Sequence, residues 1–154
     1  FKDHHIYTHE ELEARHEIEL EKYIKKVQIE SRIIGELAHS HVIPAALRYQ
    51  SRLSENIRGL KDAGLSDAAF STQRNLLEKL SEHANQVSTL VDKMIAARKA
   101  CNQLSDTRDK AIAYQETVKD AYFDSIRYHV DKLELIVDDR EWDLPKYREM
   151  LFLR

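Results

Sequence analysis

Two Glu-x-x-His patterns are the residues here with the clearest chemical potential: Glu13 with His16, and Glu36 with His39. Carboxylate-bridged di-metal centres use that spacing, but they place the two motifs on facing helices and add two further inward glutamates. Both patterns fall on one predicted helix, about six turns apart at ~3.6 residues per turn, so no metal site is expected. His4, His5 and His9 cluster near the start and read as solvated imidazoles with at most adventitious metal binding. His41 and His129 lie beside apolar stripes, where a hydrogen-bonded structural role is the simpler account.

Other reactive types are equally sparse. Cys101 is the single cysteine, which excludes an internal disulfide, favours a reducing and therefore cytoplasmic setting, and makes the thiol a small apolar filler. Arg48, Arg52 and Arg58 recur along one stretch with Glu55 and Asp62 beside them, which points to a salt-bridged face rather than a phosphate site. Phosphate-cradling and nucleophile-elbow loops are absent. With only three glycines, such a cradle is hard to build. Tyr114, Tyr122, Phe123, Tyr128, Trp142, Tyr147 and Phe152 alternate with acidic residues, so they suit a core and a docking patch better than base stacking. No catalytic, cofactor-binding or metal-ligating residue is therefore expected.

The elements that carry these residues follow from composition and period. The 154 residues suit one helical domain, 1–154, with few glycines or prolines to form turns cheaply. A third of the chain is charged, the signs are interspersed and the net charge is −3, which offers no basic field for nucleic acid or anionic lipid. No apolar run approaches the roughly 20 residues that span a bilayer.

After a polar lead-in over 1–8, Thr8 and Glu11 have capping-box spacing and start a helix. Leu12, Leu20, Ile24, Val27, Ile34 and Ala38 form one stripe along it, and Ile29, Ile33 and Leu37 a second, predicting burial on two sides. Pro44 interrupts the pattern, yet Ala46, Tyr49, Leu53, Ile57 and Leu60 resume it at once. The expectation is a kink, or two helices meeting near His41 to Pro44, rather than a loop. A second helix is predicted from Asp67 to Leu104 with Leu76, Leu80, Ala84, Val87, Val91, Met94 and Cys101 as its seam. A third, capped by Ser105 and Asp106, presents Ile112, Val118, Tyr122, Ile126, Leu133 and Val137 and ends near Asp139.

The fold expected is all-α: an antiparallel bundle of three long helices, the first kinked at Pro44, plus a short C-terminal helix capped by Asp143 with Pro145 in its first turn. The tail over 140–154 is unusually apolar for a terminus. Trp142, Leu144, Tyr147, Met150 and Phe152 are the candidate docking residues.

Three strings are more particular than amphipathicity requires: Val27-Gln-Ile-Glu-Ser-Arg-Ile-Ile-Gly-Glu-Leu-Ala, Ile43-Pro-Ala-Ala-Leu-Arg-Tyr-Gln and Trp142-Asp-Leu-Pro-Lys-Tyr-Arg-Glu. Through them the chain resembles the C-terminal helical region of type III glutamine synthetases. The ends carry the likeness, whereas the helix from Ala68 to Leu104 matches in length and pattern only. The resemblance implies a parent that joins ammonia to glutamate through a γ-glutamyl phosphate, using ATP and a divalent metal, Mg or Mn. It also implies that those sites lie upstream, so that no catalytic residue transfers to this chain. Expected partners are an upstream catalytic domain and neighbouring subunits of a homo-oligomer, with no nucleic acid and no membrane. The start at Phe1 reads as that of a segment of a longer protein. A stand-alone helical interaction or dimerisation module, and a regulatory domain of the ligase, remain the alternatives.

Overall fold

The computed structural model describes residues 8–151, so His4, His5 and Phe152 lie outside the described residues. Helix α1 (His9–Leu37) passes through a π-helical turn, Ala38–Val42, into α2 (Ile43–Asp62). A 3-10 turn at Asp67–Phe70 leads into α3 (Ser71–Cys101), and α4 (Thr107–Ala113) continues as a π-helical stretch, Tyr114–Phe123, into α5 (Asp124–Ile136). The short α6 (Tyr147–Met150) follows. Among the described residues there is no strand, and the fold is an all-α helical bundle.

Local chemistry sets the boundaries. The Thr8 amide donates to the Glu11 carboxylate at 2.8 Å and the Glu11 amide to the Thr8 hydroxyl at 3.2 Å, so the capping box forms. Around Pro44 the backbone never leaves the right-handed helical region. Leu37 has φ −60° and ψ −41°, and Ile43 has φ −63° and ψ −48° while its amide reaches back to the Ala38 carbonyl. The wider turn accommodates a residue that has no amide proton to give. Gly64, at φ +79°, ends α2. Its amide bonds Lys61 O at 2.9 Å and that of Leu65 bonds Leu60 O at 3.1 Å, the paired bonds of a Schellman cap. Asp106 starts α4 by accepting from the Asp109 amide at 2.8 Å.

The described residues form two compact units, one from residues 8–33 with 93–124 and the other from 34–92 with 125–151. In the first, α1 and the π-helical stretch run antiparallel. Tyr23 bonds Gln115 while Gln28, further along α1, bonds Tyr114 at 2.9 Å. Ile24, Val27, Met94, Cys101, Ala111, Tyr114 and Val118 are buried. Ile112, expected on the buried face, is 46% exposed; the π-helical stretch that begins at Tyr114 changes the phase between it and the rest of the stripe, so Ala111 and Tyr114 turn inward beside the expected Val118. The second stripe of α1 is also not buried, with Ile29 58% and Ile33 49% exposed, because in this unit packing engages only the side that carries Ile24 and Val27.

In the second unit α2 and α3 are antiparallel: Gln50 bonds Ser81 at 2.8 Å and Gln73 bonds Asn56 at 3.2 Å. The predicted seam of Leu80, Ala84, Val87 and Val91 is buried there, together with Val42, Ala46, Leu53 and Phe70. Ile126, Leu133 and Val137 complete this core. The third helix stops at Ile136, earlier than expected. Asp138 then turns the chain by accepting from the Arg140 amide at 2.8 Å.

Candidate functional site

The segment from Val137 to Leu151 is where the second unit could engage a partner, and α2 and α5 position it. Arg48 projects from α2 onto the turn after α5. Its guanidinium donates to the Glu141 carboxylate at 3.1 Å, to the Glu141 carbonyl at 2.8 Å and to Asp143 at 2.9 Å. One turn later, Arg52 pairs with Glu141 at 3.2 Å and with Asp138 at 3.7 Å. Of the three arginines expected to form a salt-bridged face, Arg48 and Arg52 do so, but their partners are in the tail rather than Glu55 and Asp62, and Arg58 does not join them. A separation of about ninety residues hides such pairs from sequence reading. The hydrogen bond to Asp143 holds the Arg48 guanidinium above its ordinary value, with Glu141 adding to the effect.

Asp143 is thereby committed to Arg48 and does not cap α6, contrary to expectation. The N-cap is Lys146, whose amide donates to the Glu149 carboxylate at 3.3 Å, and Pro145 precedes the helix rather than sitting within it. The Lys146 ammonium is buried, donates to the Val137 carbonyl at 2.9 Å and pairs with Asp139 at 2.7 Å. Its aliphatic stem is covered while its charge is paired twice over. Lys146 first, and then Arg148, hold the Asp139 carboxyl below its usual range.

The five candidate docking residues separate. Trp142 is buried at 7% exposure and Leu144 is half-buried. Tyr147 and Met150 are exposed, and Phe152 lies outside the described residues. Tyr147 is nonetheless held in place: its hydroxyl accepts from Arg127 at 2.6 Å and its amide donates to Glu134 at 2.9 Å. Between α5 and this segment lies a cleft of about 840 Å³, lined by Asp131, Glu134, Leu135, Asp139, Tyr147 and Leu151. Leu135 is 80% and Leu151 79% exposed at its margin. The anchoring charges are paired among themselves, so what this site offers is apolar surface on a frame held by ion pairs.

The histidine motifs do not assemble a centre. Among the described residues no group of three or more His, Cys, Asp or Glu side chains is placed to hold a metal ion. His9 pairs with Glu13 at 3.3 Å, and His39 lies 3.9 Å from Asp92. Cys101 is buried against Thr117 at 3.3 Å; since the Thr117 hydroxyl gives its proton to Ala113 O at 2.7 Å, the thiol is the donor. His129 does have an imidazole partner, His83, which sequence reading passed over. The available signal was its place three residues after Leu80 and four before Val87, beside the seam. No helix among the described residues is long and apolar enough to cross a membrane.

Comparison with known proteins adds a second line. Residues 1–61 match the family described as glutamine synthetase C-terminal domain. A glutamine synthetase of Bacteroides fragilis is 43% identical over 153 residues, covering 97% of this chain and 21% of that protein. A type-3 glutamine synthetase of Dictyostelium discoideum is 31% identical over 157 residues, covering 100% of the chain and 21% of the relative. A glutamine synthetase of Butyrivibrio fibrisolvens is 28% identical over 152 residues, again covering 21% of the relative. The chain thus spans about a fifth of the length of the curated relatives it matches.

Proposed function

Because this chain belongs to the glutamine synthetase family, as its C-terminal domain, we propose that it is a non-catalytic helical domain that braces the catalytic region of a longer ligase and contributes to contacts between subunits. The observation that carries this reading is the two-faced tail. Trp142 anchors it inward, Arg48 and Arg52 fix it from α2, and Leu135, Tyr147, Met150 and Leu151 remain outward. Exposed apolar side chains on a frame held by internal ion pairs suit a surface that is covered in a larger assembly.

The parent reaction would be ATP-dependent ligation of ammonia to glutamate, with Mg or Mn as the divalent metal. The described residues do not fit a nucleotide or metal site. No group of three or more His, Cys, Asp or Glu side chains among them is placed to hold a metal ion, and Arg48 and Arg52 are already neutralised by Asp138, Glu141 and Asp143.

Sedimentation of the parent ligase beside a version lacking this segment, with glutamine formation assayed on both, tests the reading. Loss of the large oligomer on truncation is the outcome expected for an assembly role, and an intact oligomer with reduced turnover the outcome for bracing alone. An intact, fully active truncated ligase overturns both.

A further inference from the structure

His83 on α3 and His129 on α5 meet through their ring edges in the second unit. Their Nδ1 atoms are 2.9 Å apart, and the ring centroids lie 5.2 Å apart with planes tilted by 50°. A hydrogen bond between two imidazole nitrogens requires one to carry the proton and the other to be bare. One added proton can sit on the far nitrogen of the donor ring and leave that bond intact, but a second, on the bare nitrogen, leaves two donors facing each other and places two like charges at close range. Both rings are half-buried, where water screens that repulsion less than at an open surface. Tyr128 packs edge-on against both, with centroids 6.5 Å from His83 and 5.1 Å from His129, and so holds the pair in register.

We propose that the His83–His129 pair is a proton-operated latch between α3 and α5, closed while at most one imidazole is charged and opened when both are. The opening would reach the tail, because α5 also carries Arg127 and Glu134, the residues that hold Tyr147 in place. Acidification would then loosen the apolar surface at the cleft.

Burial, and then the neighbouring His83, press His129 below its ordinary value of 6.5, while Glu82 pulls it the other way. Both groups acting on it lie on α3 and none on α2; on α5 itself, the Lys132 ammonium lies 5.3 Å from the Tyr128 ring centroid. A base depressed in the folded state binds fewer protons there than in the unfolded chain. Its stabilising contribution is therefore complete above about pH 6.5 and declines as pH falls toward the depressed value.

The test compares the protein with His83→Gln and His129→Gln variants, since a glutamine amide can still donate or accept a hydrogen bond but cannot charge. Between pH 7.5 and 5.5 the thermal midpoint of the native protein should fall further than that of either variant, by roughly 3 °C. Parallel declines overturn the latch. In parallel, nitrogen NMR of the histidines in the native protein at pH 7.5 should show one ring protonated at Nδ1 and the other bare there. Two rings both protonated only at Nε2 would overturn it as well, whatever the variants do.

Discussion

Tyr114 in the first unit and Trp142 in the second are both buried aromatic anchors, yet they are satisfied in opposite ways. The Tyr114 ring is fully covered and its hydroxyl donates to Asn102 at 2.7 Å while accepting from Gln28 at 2.9 Å. Gln28 in turn donates to Asn102 at 2.9 Å, which closes a small neutral network. Trp142 has no such network: its indole nitrogen is buried and has no hydrogen-bond partner among the described residues. The ring is secured by apolar cover, by the Lys146 ammonium 5.9 Å from its centroid and by ion pairs around the tail. A neutral network at the edge of a core carries no charge for salt or pH to act on, whereas an apolar plug ringed by part-exposed ion pairs responds to both. That difference suits a fixed scaffold in one unit and an adjustable surface in the other.

Trp142→Ala should have the largest effect, costing about 3–5 kcal/mol because a large apolar side chain is removed from a site that cannot fully collapse. Urea unfolding of the native and variant proteins measures it. A loss under about 1 kcal/mol would mean that the ions, not the indole, hold the tail. Tyr114→Phe probes the other anchor more gently. It keeps the ring and removes one hydroxyl, so a loss of about 1 kcal/mol is expected, with no dependence on salt. A salt-dependent loss would break the contrast between the two units.

The sequence disclosed the elements well and the tertiary pairings poorly. The Thr8–Glu11 box, the Asp106 cap and the α3 seam from Leu80 to Val91 were legible because capping and period are local. Ile112 was misplaced because nothing local signals a π-helical stretch. Ile29 and Ile33 were misplaced because an apolar stripe records what can be buried, not what is buried within one unit. At the candidate site the burial of Trp142 was legible from its type alone. Its frame was not, since Asp143 looked like a helix cap until Arg48, 95 residues away, claimed it.

The ionic frame should contribute less than either anchor. Arg48→Met is expected to cost less than either anchor substitution, since its pairs are part-exposed and screened by solvent. Raising ionic strength from about 0.1 to 1 M shortens the screening length from about 10 to 3 Å and should move the native protein toward the variant. Acid should act on the same frame. The Asp139 carboxyl is held below its ordinary 3.8 by Lys146 and Arg148, so its contribution is present above that pH and is lost as pH falls through the depressed value. A native protein indifferent to both salt and acid would show that the tail, like the first unit, is held without its charges.

Pro44→Ala should have the smallest effect, and it sharpens the comparison from the side of α2, the helix that carries Arg48 and Arg52. A proline that strained an ordinary helix would give back a large part of the roughly 3 kcal/mol it costs when replaced. Here Ile43 already bonds Ala38 in a wider turn and the backbone beside the proline keeps helical dihedrals, so a change within about 0.5 kcal/mol is expected. If α2 is set by that turn rather than by the proline ring, the variant should also keep the native salt response of the tail. A variant that unfolds at the native urea midpoint yet loses that response would show instead that Pro44 aims the two arginines at Glu141.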